Sequence, residues 1–190
     1  MDSIDLLRLK PLVFSEWYSW SNRYEAPHIK LPGVYLLARF LDSPPAGQAD
    51  PACSDIVVIG ETRRPLWDRL RDFDNAAFGG GGPHGVGIRY RRRQYLNALE
   101  ALYVAILPSS PLDWGCWVSK SNEELACQLS KSSQNAVSAV DVIRFKRWFV
   151  QGASVKVKGQ LNGAWIKFIE RKLLLDYAIL YGKLPDCNAE

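Results

Sequence analysis

No apolar run in this 190-residue chain approaches the length of a bilayer-crossing helix, so nothing in it reads as a membrane span. Cysteines number four, and the spacings of Cys53, Cys116, Cys127 and Cys187 match no zinc-binding pattern. The opening "MDSIDLLRLK" carries early acids and no long apolar segment, so it does not read as an export signal. Reduced thiols in a cytoplasmic protein are therefore expected. Internal repeats, low-complexity tails and an interdomain linker are also missing. The run "GGGG" (79–82) lacks the Lys-Ser/Thr ending of a phosphate loop and does not run straight from strand into helix, so it reads as a flexible flap.

What the chain does have is material for a core. Hydrophobic residues make up 47% of it, and seven tryptophans stand in 190 positions. Trp fills cores and also stacks on bases, so composition leaves both roles open. A net charge of +4 is compatible with a polyanionic partner without requiring one.

Patterning divides the chain into elements. Residues 5–24 mix apolar and polar residues and predict one or two short helices. "KLPGVYLLARFL" (30–41) and "IVVIG" (56–60) predict two strands of a hairpin, joined by the turn-rich stretch 42–55. "ETRRPLWDRLRDF" (61–73) predicts a helix, with Pro65 in its first turn and Leu66, Leu70 and Phe73 at helical spacing. A mobile loop is expected over 74–87, then a helix in the second half of 88–101. "LYVAILP" (102–108) predicts a third strand. A helix is expected around 136–150, and a small strand or basic loop over 152–163. A closing helix follows at 164–182, with an apolar stripe of Ile166, Ile169, Leu173, Tyr177 and Leu180. The fold class is α+β: a small, three-stranded, largely antiparallel sheet flanked by helices, with helical additions at the amino terminus and in mid-chain. One domain spans 1–190, with residues 1–31 an extension and 109–163 an insertion.

Four motifs then fall in order on the expected elements: "GVY" (33–35), "VIG" (58–60), "LWDRL" (66–70), and "IERKLLLDYAILYGKLPDCN" (169–188), in which a helical Glu is followed by a Gly, a Pro and an Asn. Together they resemble the GIY-YIG nuclease superfamily over roughly 32–107 and 164–188. The resemblance implies a divalent-metal-dependent DNA endonuclease, of the stand-alone bacterial or phage kind used in restriction, defence or DNA processing. It implies Glu170 as ligand of Mg²⁺ or Mn²⁺ and Arg69 as the phosphate clamp. Tyr35 would stand beside the attacking water, and Asn188 would hydrogen-bond within the site. The chemistry suits these residue types. Mg²⁺ is commonly held by a single carboxylate while keeping most of its waters, and guanidinium matches phosphate geometry.

The chain departs from the family at Val58, where a second tyrosine is usual. His84 is the candidate replacement base, since a neutral imidazole accepts a proton near pH 7. Arg63 and Arg64 compete with Arg69 for phosphate. "IRYRRRQY" (88–95) interleaves Arg89, Arg91, Arg92 and Arg93 with tyrosines, as a backbone-tracking DNA contact would; Lys156 and Lys158 extend the basic set. His28 reads as structural, and Trp114, Trp117, Trp148 and Trp165 as core. Val58 also supports a rival: a catalytically impaired DNA-binding or protein-interaction module on the same fold. Oligomeric state and protein partners are left open.

Overall fold

The computed structural model describes residues 12–79, 81–94, 101–109 and 155–188. The helix expected at 136–150, Cys116, Cys127, Trp114, Trp117 and Trp148 lie outside them. The chain divides into two compact units, 1–12 with 110–162, and 13–109 with 163–190. The second unit carries the sheet and the candidate site.

Its elements are β1 (Tyr18–Ser19), a 3₁₀ turn (Trp20–Glu25), β2 (Gly33–Phe40), β3 (Ile56–Thr62), α1 (Leu66–Ala77), α2 (Gly85–Gln94) and β4 (Ala101–Pro108). The last helix, α3 (Val155–Tyr181), belongs to this unit from Gly163 onward. All strand pairs are antiparallel, in the order β1-β4-β2-β3. The sheet thus has four strands, where three were expected. The fourth comes from a segment predicted helical. β4 would otherwise expose a row of unpaired backbone groups. Tyr18 and Ser19 pair with Val104 and Tyr103, and Ser15 exchanges bonds with Ile106 through its own N–H and its hydroxyl.

β2 is buried along its whole length, which is why it reads as an apolar run interrupted only by Arg39. Tyr35 and Leu37 on β2, Val58 on β3 and Val104 and Ile106 on β4 share one core with Leu66, Leu70 and Phe73 of α1 and Tyr90 of α2. The alternate residues, among them Leu36 and Ile59, face the other way and are equally buried. Gly33 permits the sheet's tight packing: a Cβ there would strike the Leu107 carbonyl oxygen and sit 2.9 Å from Pro108 Cα.

α1 starts where the sequence placed Pro65, and its first amides donate to the Ile29 and Leu31 carbonyls. The helix then runs on to Ala77, past its expected end. α2 spans Gly85–Gln94, so the basic stretch is already helical in its first half and the end of the expected loop is helix; the second half of 88–101, where the helix was expected, lies almost wholly outside the described residues. The described part of 152–163 is helical, belonging to the opening of α3 rather than to a strand or loop. Ile166, Ile169, Leu173 and Tyr177 are buried as the stripe predicts, while Leu180 is exposed. No helix among the described residues is long and apolar enough to cross a membrane.

Candidate functional site

β3 is the outer strand, and the candidate site forms on it around Gly60. Tyr35 pairs with Gly60 across the hairpin. A Cβ on Gly60 would overlap the Tyr35 Cζ and hydroxyl and lie 2.8 Å from Cε1. The outer end of the tyrosine ring therefore occupies the space over the glycine, reaching from β2 onto the edge strand. No side chain larger than hydrogen fits beneath it, which is the physical reason for glycine at this point of "VIG".

The Tyr35 residue is fully buried, and its hydroxyl lies beside Arg69 but makes no hydrogen bond of good geometry among the described residues. Burial raises its pKa. Arg69 opposes that rise, while Glu170 and Glu61 add to it. Three charged side chains from β3, α1 and α3 thus lie close enough to act on one hydroxyl. The phenol stays protonated and can donate a hydrogen bond.

Arg69 sits in α1 with its Nε buried and unpartnered. Neighbouring cations are engaged elsewhere: Arg64 pairs with Asp72 at 2.6 Å, and Arg71 with Asp68 at 3.0 Å. Both are exposed, so Arg69 is the inward-facing arginine of this helix. Arg63 is exposed, and its stem passes the backbone of Gly163, where a Cβ would meet Arg63 Cδ at 3.1 Å.

That contact fixes the course of α3. Near its other end, the Tyr177 hydroxyl donates to the Ser54 carbonyl at 3.1 Å and to that of Ile56 at 3.3 Å. α3 therefore runs antiparallel to β3. A helix rises about 1.5 Å per residue and a strand about 3.3 Å. Glu170, midway between Gly163 and Tyr177, thus comes level with Ile59 and Gly60. Its carboxylate is mostly buried, with Arg171 at 3.7 Å. Burial first, and Glu61 second, raise its pKa; Arg171, Lys167 and Arg69 counter them.

Glu61 was not singled out from the sequence. It follows Gly60 on β3, opposite Val34, and its Oε2 is buried with no partner. A signal was present: in "IVVIGET" strand alternation puts Glu61 on the same inward face as Ile59.

His84 departs from the flexible-loop expectation. It is 4% exposed and packs edge-on against Phe73, with ring centroids 5.6 Å apart. It also caps α2: the Gly87 N–H donates to His84 Nδ1 at 3.1 Å, and the Ile88 N–H to the His84 carbonyl at 3.0 Å. Accepting at Nδ1 leaves the proton on Nε2, which is buried without a partner. Burial, then the Arg69 charge, lowers the His84 pKa to about 4. The ring is therefore neutral and offers a donor. To act as a base at Nε2 it would have to change tautomer and lose its cap.

Asn188 spends its amide on the backbone of β3. It accepts from the Ile59 N–H and donates to the Ile59 carbonyl, both at 2.8 Å. The neighbouring Cys187 N–H donates to the Val57 carbonyl at 2.9 Å. The tail thus stands in for a further strand, which explains why it does not fray. Arg89 belongs to the same arrangement, its Nε donating to the Cys187 carbonyl at 2.8 Å. Of the other basic residues of α2, Arg92 is exposed and Arg91 and Arg93 are half-buried. Lys156 and Lys158 lie on the opening of α3, within the first unit. Trp165 is half-buried and stacks on the exposed Phe168.

Val58 is fully buried in the core opposite Leu37. A tyrosine there would have to find room in a core that leaves Val58 no exposure.

Comparison with protein-family models, with curated proteins and with solved structures found no match to this chain.

Proposed function

We propose that this protein hydrolyses phosphodiester bonds in DNA with the help of Mg²⁺ or Mn²⁺ held at Glu170, as a nuclease of the GIY-YIG kind. The observation that supports it is the meeting of Tyr35, Arg69 and Glu170, from three separate elements, around Gly60. Each brings what a phosphodiester needs. The residues also fit a cation: a mostly buried carboxylate, Glu170, feels the charge of a second, Glu61, whose Oε2 is buried without a hydrogen bond among the described residues.

Arg69 binds the non-bridging phosphate oxygens, where its permanent charge offsets the negative charge that builds during attack. Tyr35 and His84 Nε2 donate hydrogen bonds, to the attacking water and to the phosphate. Water adds to phosphorus as the bond to the leaving sugar oxygen breaks; one of its protons ends on that oxygen, giving the free hydroxyl, and the other passes to the new phosphate end or to solvent. The cation supplies charge neutralisation and makes a water proton easier to lose. Exposed arginines such as Arg63 and Arg92 contact the DNA backbone away from the break.

Incubating supercoiled plasmid with Mg²⁺ or Mn²⁺ tests the reading. The wild-type chain should nick it, and Glu170→Ala should not. One observation favours a second reading: Val58 is locked in the core, so the family's second tyrosine has no structural equivalent on β3. A DNA-binding module that has lost cutting would show salt-sensitive binding, no cleavage with either metal, and affinity unchanged in Glu170→Ala.

A further inference from the structure

Glu61 is buried at one oxygen, lies by strand alternation on the face of Ile59, with which Glu170 of α3 comes level, and has no cation paired with it among the described residues. Strands seldom turn an acid inward, because an uncompensated buried charge is costly. Here two largely buried acids lie close enough for the charge of one to act on the other. The nearest fixed positive charge to Glu170 is Arg171, itself exposed and 3.7 Å away. A structural origin for such a pair would show a bridging arginine or lysine, or backbone amides taking up the free oxygens. Neither meets Glu61 Oε2.

A third group points the same way. The Tyr35 hydroxyl is completely buried beside Arg69, makes no hydrogen bond of good geometry among the described residues, and lies within electrostatic reach of both carboxylates. Gly60 makes this meeting possible, because the phenol can cross β3 only where no side chain stands. Two carboxylates, with a neutral hydroxyl in reach at the edge of the same strand, supply a set of oxygen donors only. Small hard divalent cations take such sets, filling their remaining positions with water.

We propose that Glu61 and Glu170 form one two-carboxylate site for Mg²⁺ or Mn²⁺, with Glu61 a ligand in its own right. This deepens the reading above and rests on it. A second ligand from β3 ties the cation to the strand over which Tyr35 lies. The ion's position relative to Arg69 is then set by the sheet and not by α3 alone. It also offers a physical answer to the missing tyrosine at Val58: a cation held from two sides needs less help from a neighbouring base to prepare the water.

The test uses the full chain and Mn²⁺ alone as probe. Mn²⁺ affinity is measured by calorimetry and by the loss of free-ion paramagnetic signal, in the wild type, Glu61→Gln, Glu170→Gln and the double variant. Removing one carboxylate ligand should weaken binding on the order of tenfold or more, similarly in the two single variants, and the double variant should bind none. Thermal melts give a second readout. Glu61→Gln relieves repulsion with Glu170, so it should melt no lower than the wild type without metal, and should lose the rise in Tm that Mg²⁺ gives the wild type. If Glu61→Gln fails to fold, Glu61→Asp keeps the charge while moving it, and should show intermediate Mn²⁺ affinity.

Wild-type affinity in Glu61→Gln overturns the inference. The nuclease reading still stands in that case if Glu170→Gln loses both Mn²⁺ and plasmid cleavage. A wild-type chain that neither takes up millimolar Mn²⁺ nor cuts DNA removes both together.

Discussion

His84 offers the sharpest check on the site, because its neutral form follows from geometry. It is buried against Phe73, caps α2 through Nδ1, and lies near the Arg69 charge. Each of these disfavours the imidazolium, and the pKa falls from 6.5 to about 4. The unfolded chain takes up the proton near pH 6.5, and the folded chain only near pH 4. Between those values the unfolded state binds more protons, so stability drops as the solution is acidified. The loss is complete once the pH passes below the folded value. At about 1.4 kcal/mol per pH unit it amounts to about 3 kcal/mol, a large part of a domain's stability. Carboxylates also titrate over part of this range. Glu170, with its raised pKa, contributes in the opposite direction, so the effect is read as a difference between variants. His84→Asn keeps a capping acceptor for the Gly87 amide and removes the titration. Urea melts at steps from pH 7 to pH 4 should show a steeper loss in wild type than in His84→Asn. The chain has only two histidines, and His28 is exposed, so the two imidazoles can be told apart by NMR. The His84 ring should stay neutral to about pH 4 as the Nε2–H tautomer. Parallel pH profiles for the two proteins, or a ring that protonates near pH 6.5, would refute both the buried cap and the donor role assigned to Nε2.

Other substitutions test other parts. Gly60→Ala drives a methyl into the Tyr35 ring and should cost about 1–3 kcal/mol or more; shortening the ring in Gly60→Ala/Tyr35→Leu should recover part of it, a coupling that denaturant melts can resolve. Asn188→Ala leaves the outward N–H and carbonyl of Ile59 without their partner and should cost about 2 kcal/mol, with faster amide exchange at Ile59. Arg92→Ala should reduce the salt dependence of DNA binding by about one unit of slope. Arg89→Ala should instead lower thermal stability, since that guanidinium holds the Cys187 carbonyl. Arg69→Lys keeps the charge and loses the forked geometry, so plasmid nicking should fall on the order of tenfold or more with the fold unchanged.

The parts of this fold that show in the sequence are those where one physical demand dominates. β2 and β4 are strongly buried, so their residue choice is set by burial and they read as apolar runs. Gly33 and Gly60 stand out because a neighbour occupies the space of a side chain. β1 is two residues long, and its strand state comes from pairing with Val104 and Tyr103, a partner far away in the chain. No local pattern encodes that. The start of α2 was missed for a related reason. Glycines on both sides of His84 suggest a loop by propensity, yet the cap at His84 and the packing of Tyr90 into the core stabilise a helix there. At the site, Arg69 and Glu170 drew attention through motif order. Glu61 is a single acid after a glycine, and its meaning depends on which residue of α3 lies opposite.

The outer edge of β3 shows how these pieces depend on one another. An edge strand presents every second residue's N–H and carbonyl to solvent, a liability unless covered. Val57 and Ile59 are covered by the carboxyl-terminal tail, through Cys187 and the Asn188 amide. The next outward residue in the alternation is Glu61, and among the described residues no bond meets its backbone on that side. The tail therefore seals the edge up to the point where Gly60 admits the tyrosine and stops short of the carboxylates. Arg89 braces the tail from α2, the helix that His84 caps, so the basic helix and the acidic pair share one support. Cutting the chain before Cys187 should then do more than fray an end. It should uncover Val57 and Ile59 for exchange and free Arg89 from its acceptor. The truncated protein should also lose Mn²⁺ affinity, although no proposed ligand has been removed. If Mn²⁺ affinity survives such a cut, the carboxylates are held in place without the tail, and Asn188 serves only to cover the edge.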